Sequence, residues 1–238
     1  MYDNILWLIT ARSGSKSIVD KNIKMLGEFP LFYYRYLSAK KISPIENIWG
    51  STDSVDYIKI FNEYGLITPF VRPNELALDD SSSADVVLHA MNHAEKNDFK
   101  KKYIGLLEPT SPFVTSKELS NAIDTLENDN QSKSIVATVE SRPNSFFVQE
   151  DDKYLNKFYN NLKENSRKLG RQQFTKEITP SGGFYICEWD EFKETKSFYN
   201  KNTLSFELDE ISGLEIDEPI DWEFAEFLIK KNKNEIIK

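Results

Sequence analysis

The fold is decided by Leu6-Trp7-Leu8-Ile9-Thr10-Ala11-Arg12-Ser13-Gly14-Ser15-Lys16-Ser17, with Asp20-Lys21-Asn22-Ile23-Lys24 just after it. A short apolar run ends there in a loop of small residues that carries Arg12, Lys16, Lys21 and Lys24. α/β proteins hold phosphate groups in this way, because close backbone N–H groups and fixed cations both face the anion at the carboxyl end of a buried strand. The spacing matches neither a P-loop nor G-x-G-x-x-G. The loop therefore predicts either a phosphate site of another kind or a basic surface loop.

Composition limits the class of protein. A length of 238 residues suits one α/β domain, and 39% hydrophobic residues supply a core. The net charge of -8 argues against nucleic-acid binding, which needs clustered positive charge. A nucleotide substrate needs only a local group of cations and stays compatible with this charge.

The sequence shows no sign of export or membrane insertion. Its one cysteine, Cys187, excludes an intrachain disulfide framework, suits a reducing compartment and lies in an apolar run typical of the core. No apolar stretch approaches the ~20 residues that a membrane span needs. The amino end lacks the basic region and cleavage site of a signal peptide. We expect a cytoplasmic protein with no membrane or nucleic-acid partner.

Strand and helix patterns alternate over the first part of the chain. Short apolar runs without clean alternation are typical of strands buried on both faces of a parallel sheet, and they fall at 5–9, 48–51, 67–71, 103–107 and 135–139. Helices are predicted at 31–41 after Pro30, from a Ser54 cap to near Gly65, at 83–95, and from a Ser116 cap. This order predicts an α/β fold with a doubly wound, mostly parallel sheet.

Residues 141–180 break this pattern. They are polar and aromatic, include Arg142 and Arg171, and do not resemble another strand–helix unit. Because an irregular stretch of this length is uncommon inside a compact domain, we expect it to form a unit of its own. Strand signals return at 183–187, and a last helix is predicted at 220–231. The prediction is one domain over residues 1–238 with an insert at about 141–180.

Three further polar segments follow predicted strands, where α/β proteins bind ligands. Asp53 suits a ribose hydroxyl or a metal, or simply the start of a helix. Arg72 precedes a run of hydroxyls that includes Ser81 and Ser83, and hydroxyls at a helix start often serve only as caps. Glu108 begins a stiff loop with two prolines, which a turn alone would explain.

A pair of carboxylates lies late in the chain, at Glu215 and Asp217. On a strand, residues two apart point to the same face, and two like charges there repel unless a cation joins them. Oxygen ligands of this kind suit Mg²⁺. The pair predicts either a magnesium site or a solvated strand end.

Together, these segments resemble the acylneuraminate cytidylyltransferase family, the CMP-sialic acid synthetases and their bacterial relatives. The family's opening signature is similar to I-P-A-R-x-G-S-K-G-I-x-x-K-N-I, and residues 9–23 here read Ile9-Thr10-Ala11-Arg12-Ser13-Gly14-Ser15-Lys16-Ser17-Ile18-Val19-Asp20-Lys21-Asn22-Ile23. Later matches keep the family's order: Ser51-Thr52-Asp53, Arg72-Pro73-x-Glu75-Leu76-Ala77, Ser82-Ser83-x-Asp85-Val86-Val87-x-His89-Ala90, Leu107-x-Pro109-Thr110-Ser111-Pro112, Arg171-Gln172-Gln173, Gly182-x-Phe184-Tyr185-Ile186 and Ile216-Asp217-x-Pro219-x-Asp221.

The resemblance implies a Rossmann-like nucleotidyltransferase fold and a role for each matched residue. The CTP phosphates would be held by the backbone at Ser13, Gly14 and Ser15 and by the cations Arg12, Lys16 and Lys21. Asn22 would contact the nucleotide, and the cytosine would be recognised by Arg72, Ser81 and Ser83. Mg²⁺, with Mn²⁺ as a substitute, would be carried by Asp217 and Glu215; Arg12, Lys21 and Asp217 form the implied catalytic set. The sugar-acid pocket would be lined by Glu108, Arg171 and Tyr185.

The resemblance also implies the reaction and the assembly. CTP and a 2-keto sugar acid of the sialic-acid type would give a CMP-sugar and pyrophosphate, for bacterial surface glycans. The enzyme would be a homodimer whose insert closes the partner's sugar site.

Two positions depart from the family pattern near the sugar. Ser181 replaces a common Asn, and Glu108 places a carboxylate where a neutral amide is usual. A carboxylate that faces an anionic sugar acid is costly unless the substrate offers a cation or the carboxyl is protonated. This favours a modified nonulosonate over N-acetylneuraminate. The alternatives are a cytidylyltransferase for another acid, of the Kdo type or a phosphonate, and a non-catalytic nucleotide-binding scaffold.

Overall fold

The first strand, β1 (Ile5–Thr10), is covered by apolar side chains on both faces. Ile5, Trp7 and Ile9 belong to one buried cluster, and Leu6 and Leu8 belong to another. Because alternate side chains of a strand point to opposite faces, the sheet around β1 must lie between two apolar layers. That arrangement is typical of parallel sheets with helices on both sides.

The computed structural model describes residues 1–141 and 177–236. After β1 the strands are β2 (Met25–Leu26), β3 (Phe29–Pro30), β4 (Ile48–Ser51), β5 (Tyr103–Leu107), β6 (Ser134–Glu140), β7 (Ile178–Glu188) and β8 (Leu204–Leu208). The helices are α1 (Leu31–Lys40), α2 (Val55–Glu63), α3 (Ser83–Lys96), α4 (Ser116–Asn128), α5 (Trp189–Thr195) and α6 (Pro219–Ile236). No helix in these ranges is both long and apolar enough to span a bilayer.

The main sheet is mostly parallel, as predicted. Its strand order is β4-β1-β5-β7-β6-β8, and β2 and β3 form a separate antiparallel pair. β1 runs parallel to both β4 and β5, and β6 runs parallel to β8. The chain leaves β1 first toward one side and then toward the other, so the carboxyl ends of β1, β4 and β5 border a crevice where the winding reverses. Open α/β sheets bind ligands at this point.

Helices cover both faces. α1, α2 and α4 pack on the face of Trp7 through Phe32, Phe61 and Leu119. α3 and α5 cover the opposite face through residues such as Met91 and Phe192. The last helix, α6, packs instead on the small β2–β3 pair. Cys187 is buried on β7, as predicted.

A glycine allows β1 and β5 to pair closely. Gly105 lies opposite Trp7 in the parallel register. A Cβ at residue 105 would lie 2.4 Å from the Trp7 ring, so a side chain there would displace the indole. The large ring of β1 thus fills the space that glycine leaves on β5.

The predicted strand at 67–71 is wrong. The structure shows only a single parallel bridge between Trp49 and Ile67. Pro69 lies in the middle of this run and has no N–H to donate to a neighbouring strand, which explains why the apolar residues around it form no ladder.

Two other boundaries differ from the prediction. β7 begins at Ile178, so the insert ends before its predicted boundary at Pro180; most of the insert lies outside the described residues. The cap of α4 is Thr115, not Ser116, because Thr115 and Glu118 form a reciprocal capping box. β8 was not predicted. It is a half-exposed edge strand of five residues, so its apolar and polar residues alternate over a short stretch only.

A buried arginine joins three parts of the fold. Arg35 on α1 is fully buried, and its guanidinium donates to the carbonyls of Val114 at 2.9 Å and Gly183 at 2.8 Å. Burial lowers the pKa of Arg35 to about 9. These bonds fix the segment after β5 and the middle of β7 to the same helix.

We expect Arg35→Met to destabilise the fold by about 3 kcal/mol or more, because two buried carbonyls lose a charged donor. Urea unfolding of both proteins measures the loss. Lys40→Met on the same helix is the control, since Lys40 is exposed and should change stability by less than about 0.5 kcal/mol. Equal losses in the two variants would contradict the role given to Arg35.

Candidate active site

A cavity of about 470 Å³ lies at the carboxyl ends of β1 and β5 and beside the start of α3. Most of the predicted site residues line it: Arg12, Ser15, Lys16, Lys21, Asn22, Arg72, Ser81, Ser83 and Glu108. Sequence reasoning did not assign several other lining residues, among them Leu76, Leu78, Asp79 and Val86. Three segments far apart in sequence therefore meet in one cavity, as expected at a topological switch point.

The loop after β1 is held in shape by its own polar groups. The Asp53 carboxylate accepts the backbone N–H of Ser13 at 2.9 Å and also the Ser13 hydroxyl. The Ser15 hydroxyl donates to Ile18 O at 2.7 Å and accepts the N–H of Lys21 at 2.9 Å. Gly14 adopts φ +73, a conformation that favours glycine. These internal bonds thus define the shape of the loop.

This geometry assigns Asp53 a positioning role. Ser54, not Asp53, caps α2 by accepting the N–H of Tyr57 at 3.3 Å. Burial raises the pKa of Asp53, but the hydrogen bonds from Ser13 outweigh it and bring that pKa below its usual range. Asp53 therefore stays ionised and anchors the loop, and the N–H of Ser13 is already engaged by it.

The predicted cations divide into two groups. Arg12 and Lys16 both pair with Asp79, at 2.7 Å and 2.5 Å. Lys21, whose side chain is only 11% exposed, donates to Ile216 O at 2.8 Å and lies 3.3 Å from Asp217. Asn22 supports the loop by donating to Arg12 O at 3.0 Å. A carboxylate thus occupies the position between two cations where a phosphate would be expected to bind.

The residues predicted to recognise the base lie at the side of the cavity nearest α3. Arg72 is buried and donates to Ser51 O at 3.2 Å; burial lowers its pKa to about 10. Its Nε has no partner among the described residues. The hydroxyl of Ser81 donates to Glu75 O at 3.0 Å, and Ser83 is the first residue of α3. Apolar side chains of Leu76 and Val86 complete a pocket of suitable chemistry for a base.

Glu215 and Asp217 do not lie on a strand, so the predicted same-face geometry is wrong. They belong to an irregular segment before α6, held by the N–H of Ile216 donating to Thr110 O at 2.8 Å. Glu215 accepts the N–H of Gly182 at 2.7 Å, and Asp217 points toward Lys21. Tertiary contacts, not strand periodicity, bring these carboxylates near each other.

The surroundings of Glu108 raise its pKa above the ordinary value. Burial, followed by the charges of Glu215 and Asp217, raises the pKa of Glu108 to about 7, and Lys21 opposes the rise. Glu108 thus lies among like charges at one end of the cavity.

Of the two other residues predicted for the sugar site, the structure describes Tyr185 but not Arg171. Tyr185 lies on β7, and its ring packs against Phe198 and Tyr199 at centroid distances of 5.4 Å and 6.3 Å. Burial and then the charge of Glu108 raise the pKa of Tyr185. Arg171 lies outside the described residues. Ser111 lies in the matched motif after β5 but was assigned no role, and Tyr199 lies in no motif of the sequence.

The sequence profile described as Cytidylyltransferase matches residues 6–233, nearly the whole chain. The chain belongs to the cytidylyltransferase family. This membership confirms the resemblance found in the sequence and makes the chain a nucleotidyltransferase.

Individual relatives agree with the family assignment. The N-acylneuraminate cytidylyltransferase of Escherichia coli O18:K1:H7 is 31% identical over 235 residues, which cover 98% of this chain and 54% of that protein. The chain thus spans about half the length of that cytidylyltransferase. The CMP-N,N'-diacetyllegionaminic acid synthase of Legionella pneumophila is 28% identical over 234 residues, which cover 98% of this chain and 99% of the relative.

A solved structure supports the fold. The CMP:2-keto-3-deoxy-manno-octonic acid synthetase complexed with CTP superimposes with a TM-score of 0.67 over 96% of this chain and 99% of that chain. The two are 14% identical, so the likeness concerns the fold. It confirms the Rossmann-like nucleotidyltransferase architecture.

We expect Asp79→Asn to lower the KM for CTP about 2- to 5-fold with little change in kcat. The triphosphate would no longer compete with Asp79 for Arg12 and Lys16, and exposed ion pairs of this kind are each worth ~0.2–1 kcal/mol. Steady-state kinetics measure the change. Asp80→Asn, the neighbouring exposed acid, is the control and should leave the KM unchanged. A higher KM in Asp79→Asn would show that this carboxylate orients the cations instead.

We expect Glu108→Gln to stabilise the protein at pH 8 more than at pH 5. The pKa of Glu108 rises from 4.5 to about 7 on folding, so the ionised group opposes folding progressively between these values and fully above them. The difference corresponds to at most about 3 kcal/mol. Thermal unfolding in EDTA at both pH values measures it, with Glu63→Gln on α2 as the control. An equal shift at both pH values would contradict the assignment.

Proposed function

We propose that the chain joins CTP to a 2-keto sugar acid of the nonulosonate class and releases pyrophosphate, in the cytoplasm. One observation carries this proposal: a single cavity is lined by the cations Arg12, Lys16 and Lys21 together with Arg72 and Glu108. Two relatives are named for different nonulosonic acids, which supports this substrate class. The CMP-sugar would then serve a glycosyltransferase that builds surface glycans.

The proposed chemistry depends on positioning and charge. The anomeric hydroxyl oxygen of the sugar acid bonds to the α-phosphorus of CTP, while the bond from that phosphorus to the oxygen of the β-phosphate breaks. Pyrophosphate leaves, and the hydroxyl proton passes to solvent. Arg12 and Lys16 bind the phosphates with the loop backbone, and Lys21 adds positive charge beside the reacting group, which favours the transition state.

We propose that Mg²⁺, or Mn²⁺ in its place, binds at Asp217 and Glu215. Both offer carboxylate oxygens, the ligands that Mg²⁺ prefers, and each uses one oxygen in the bonds already described. Within residues 1–141 and 177–236 no group of three or more acidic, histidine or cysteine side chains is arranged as a metal site. The protein would thus supply two ligands, leaving other positions to phosphate oxygens and water. The bound ion would neutralise charge that develops on the phosphates.

We propose further that the enzyme is a homodimer in which the insert at about 141–180 and Arg171 complete the partner's sugar site. This proposal rests on the family resemblance, because most of that segment lies outside the described residues. Light scattering reports the oligomeric state.

The reaction itself gives the decisive test. With Mg²⁺ and a nonulosonic acid, we expect pyrophosphate release and a CMP-sugar from CTP, far more slowly from UTP, and no turnover in EDTA until Mg²⁺ or Mn²⁺ is restored. Arg72→Ala should mainly raise the KM for CTP. Phosphate assays and mass spectrometry of the product measure these outcomes across sialic, legionaminic, pseudaminic and Kdo acids.

Matched variants test the metal ligands in the same assay. Asp217→Asn should lose about 10²-fold in kcat, the scale of losing an electrostatic stabiliser, whereas Glu218→Gln, the next exposed acid, should remain active. Full activity of Asp217→Asn would place the metal elsewhere. Equal use of UTP would contradict cytosine recognition. Turnover of Kdo alone would mean that the substrate is a different acid and not a nonulosonic acid.

A further inference from the structure

The backbone just before Lys21 adopts a conformation that most residues avoid. Asp20 has φ 52 and ψ 33, in the left-handed region, and leads into a single 3-10 turn at Lys21–Ile23. Aspartate tolerates this region because its short side chain can hydrogen-bond locally. The carboxylate of Asp20 bonds instead to a distant element: it accepts the hydroxyl of Tyr57 on α2 at 2.9 Å.

Tyr57 is a rigid support for that exposed carboxylate. Its side chain lies in the core, where its ring packs against Phe61 at a centroid distance of 6.3 Å, and the residue is 4% exposed. Its backbone N–H is bonded to Ser54, the cap of α2. Burial, followed by the hydrogen bond to Asp20, raises the pKa of Tyr57, so the phenol keeps its proton and acts as the donor. The core thus holds a residue of the surface loop in place.

Two side chains of the cavity follow directly after this turn. Lys21 donates from Nζ to Ile216 O at 2.8 Å, and Asn22 donates from its side-chain amide to Arg12 O at 3.0 Å. Both side chains are buried and line the cavity. Because the turn at Asp20 sets the direction of the backbone that carries them, a change in its conformation would displace both.

We propose that Tyr57 is a positioning residue for the reaction, which fixes Lys21 in the cavity by holding Asp20 in its left-handed conformation. Asp53 already anchors the start of the same loop at Ser13, so the start of α2 and the residue that precedes its cap secure both ends of the loop. This inference rests on the proposed function for what Lys21 does in the reaction. The placement of Lys21 can be measured without any turnover.

Chemical labelling of Lys21 measures that placement. The folded protein is treated briefly with an amine-acylating reagent, and peptide mass spectrometry compares Lys21 with Lys59, whose side chain is 68% exposed. In Tyr57→Phe, which loses only the hydroxyl, we expect Lys21 to react about 5-fold faster or more, because the turn opens more often without its hydrogen bond. The reactivity of Lys59 should stay unchanged.

A second buried tyrosine supplies the matched control. Tyr36 lies in the same core cluster as Tyr57, and its hydroxyl donates to Gly65 O at 2.9 Å instead of to the loop. Tyr36→Phe therefore removes a comparable hydrogen bond from the core, and it should change the labelling of Lys21 by less than about 2-fold. An equal rise in Tyr36→Phe and Tyr57→Phe would reduce the effect to a general loss of stability and overturn the proposal.

Substitutions at Asp20 test the same bond from the surface side, where the core stays intact. Asp20→Asn keeps an acceptor oxygen and the tolerance for the left-handed region, so its Lys21 labelling should remain within about 2-fold of the wild type. Asp20→Ala loses both properties and should label at least as fast as Tyr57→Phe. Adding Tyr57→Phe to Asp20→Ala should have little further effect, since both break one interaction. Unchanged labelling in Asp20→Ala, or fully additive effects in the double variant, would overturn the proposal.

Kinetics connect the turn to the reaction. With CTP, Mg²⁺ and a nonulosonic acid that the wild type uses, Tyr57→Phe should lower kcat about 10-fold, whereas Tyr36→Phe should stay within about 2-fold at a temperature at which both are folded. If the wild type turns over no acid while the labelling follows the expected order, the proposed function fails and the placement of Lys21 by Tyr57 stands. Faster labelling with an unchanged kcat/KM in an active enzyme would overturn the positioning role.

Discussion

The buried guanidinium of Arg35 is the constraint on which the site depends. It donates to the carbonyls of Val114, in the segment after β5, and of Gly183 on β7. A charge enclosed in the core is costly unless its donors are used, so the fold that buries it must also hold those carbonyls in place. Gly182, next to one of these carbonyls, donates its N–H to Glu215 and lies against Glu108, so Arg35 holds the strand that both carboxylates contact.

The cavity separates charge along its length. One end presents Arg12 and Lys16, which Asp79 already partly neutralises, and the other presents Glu108 among further carboxylates. Lys21 lies between the two groups and is nearly buried, held by Ile216 O and Asp217. The phosphate-binding chemistry of Arg12 and Lys16 is thus kept apart from the carboxylates near Glu108.

The sequence predicted the local features well and the long-range ones less well. The strand and loop at residues 5–24 were identifiable, because apolar burial, small residues and cations stand together within one stretch. The apolar run at 67–71 has the composition of a strand, but Pro69 within it has no N–H for a ladder. The approach of Glu215 to Gly182 and the pairing of Asp79 with Arg12 depend on contacts between distant segments, which periodicity does not encode. The direction of β7 likewise depends on tertiary structure, since a buried antiparallel strand and a buried parallel one have similar composition.

β7 runs against both of its neighbours, and so its early residues, not its last ones, reach the edge where β5 ends. The residues that line the cavity are encoded before residue 111, whereas the segment that lies against Glu108 at Gly182 is encoded after residue 177. Variation in the later part of the gene can therefore alter the surroundings of Glu108 while the residues that line the cavity are inherited intact.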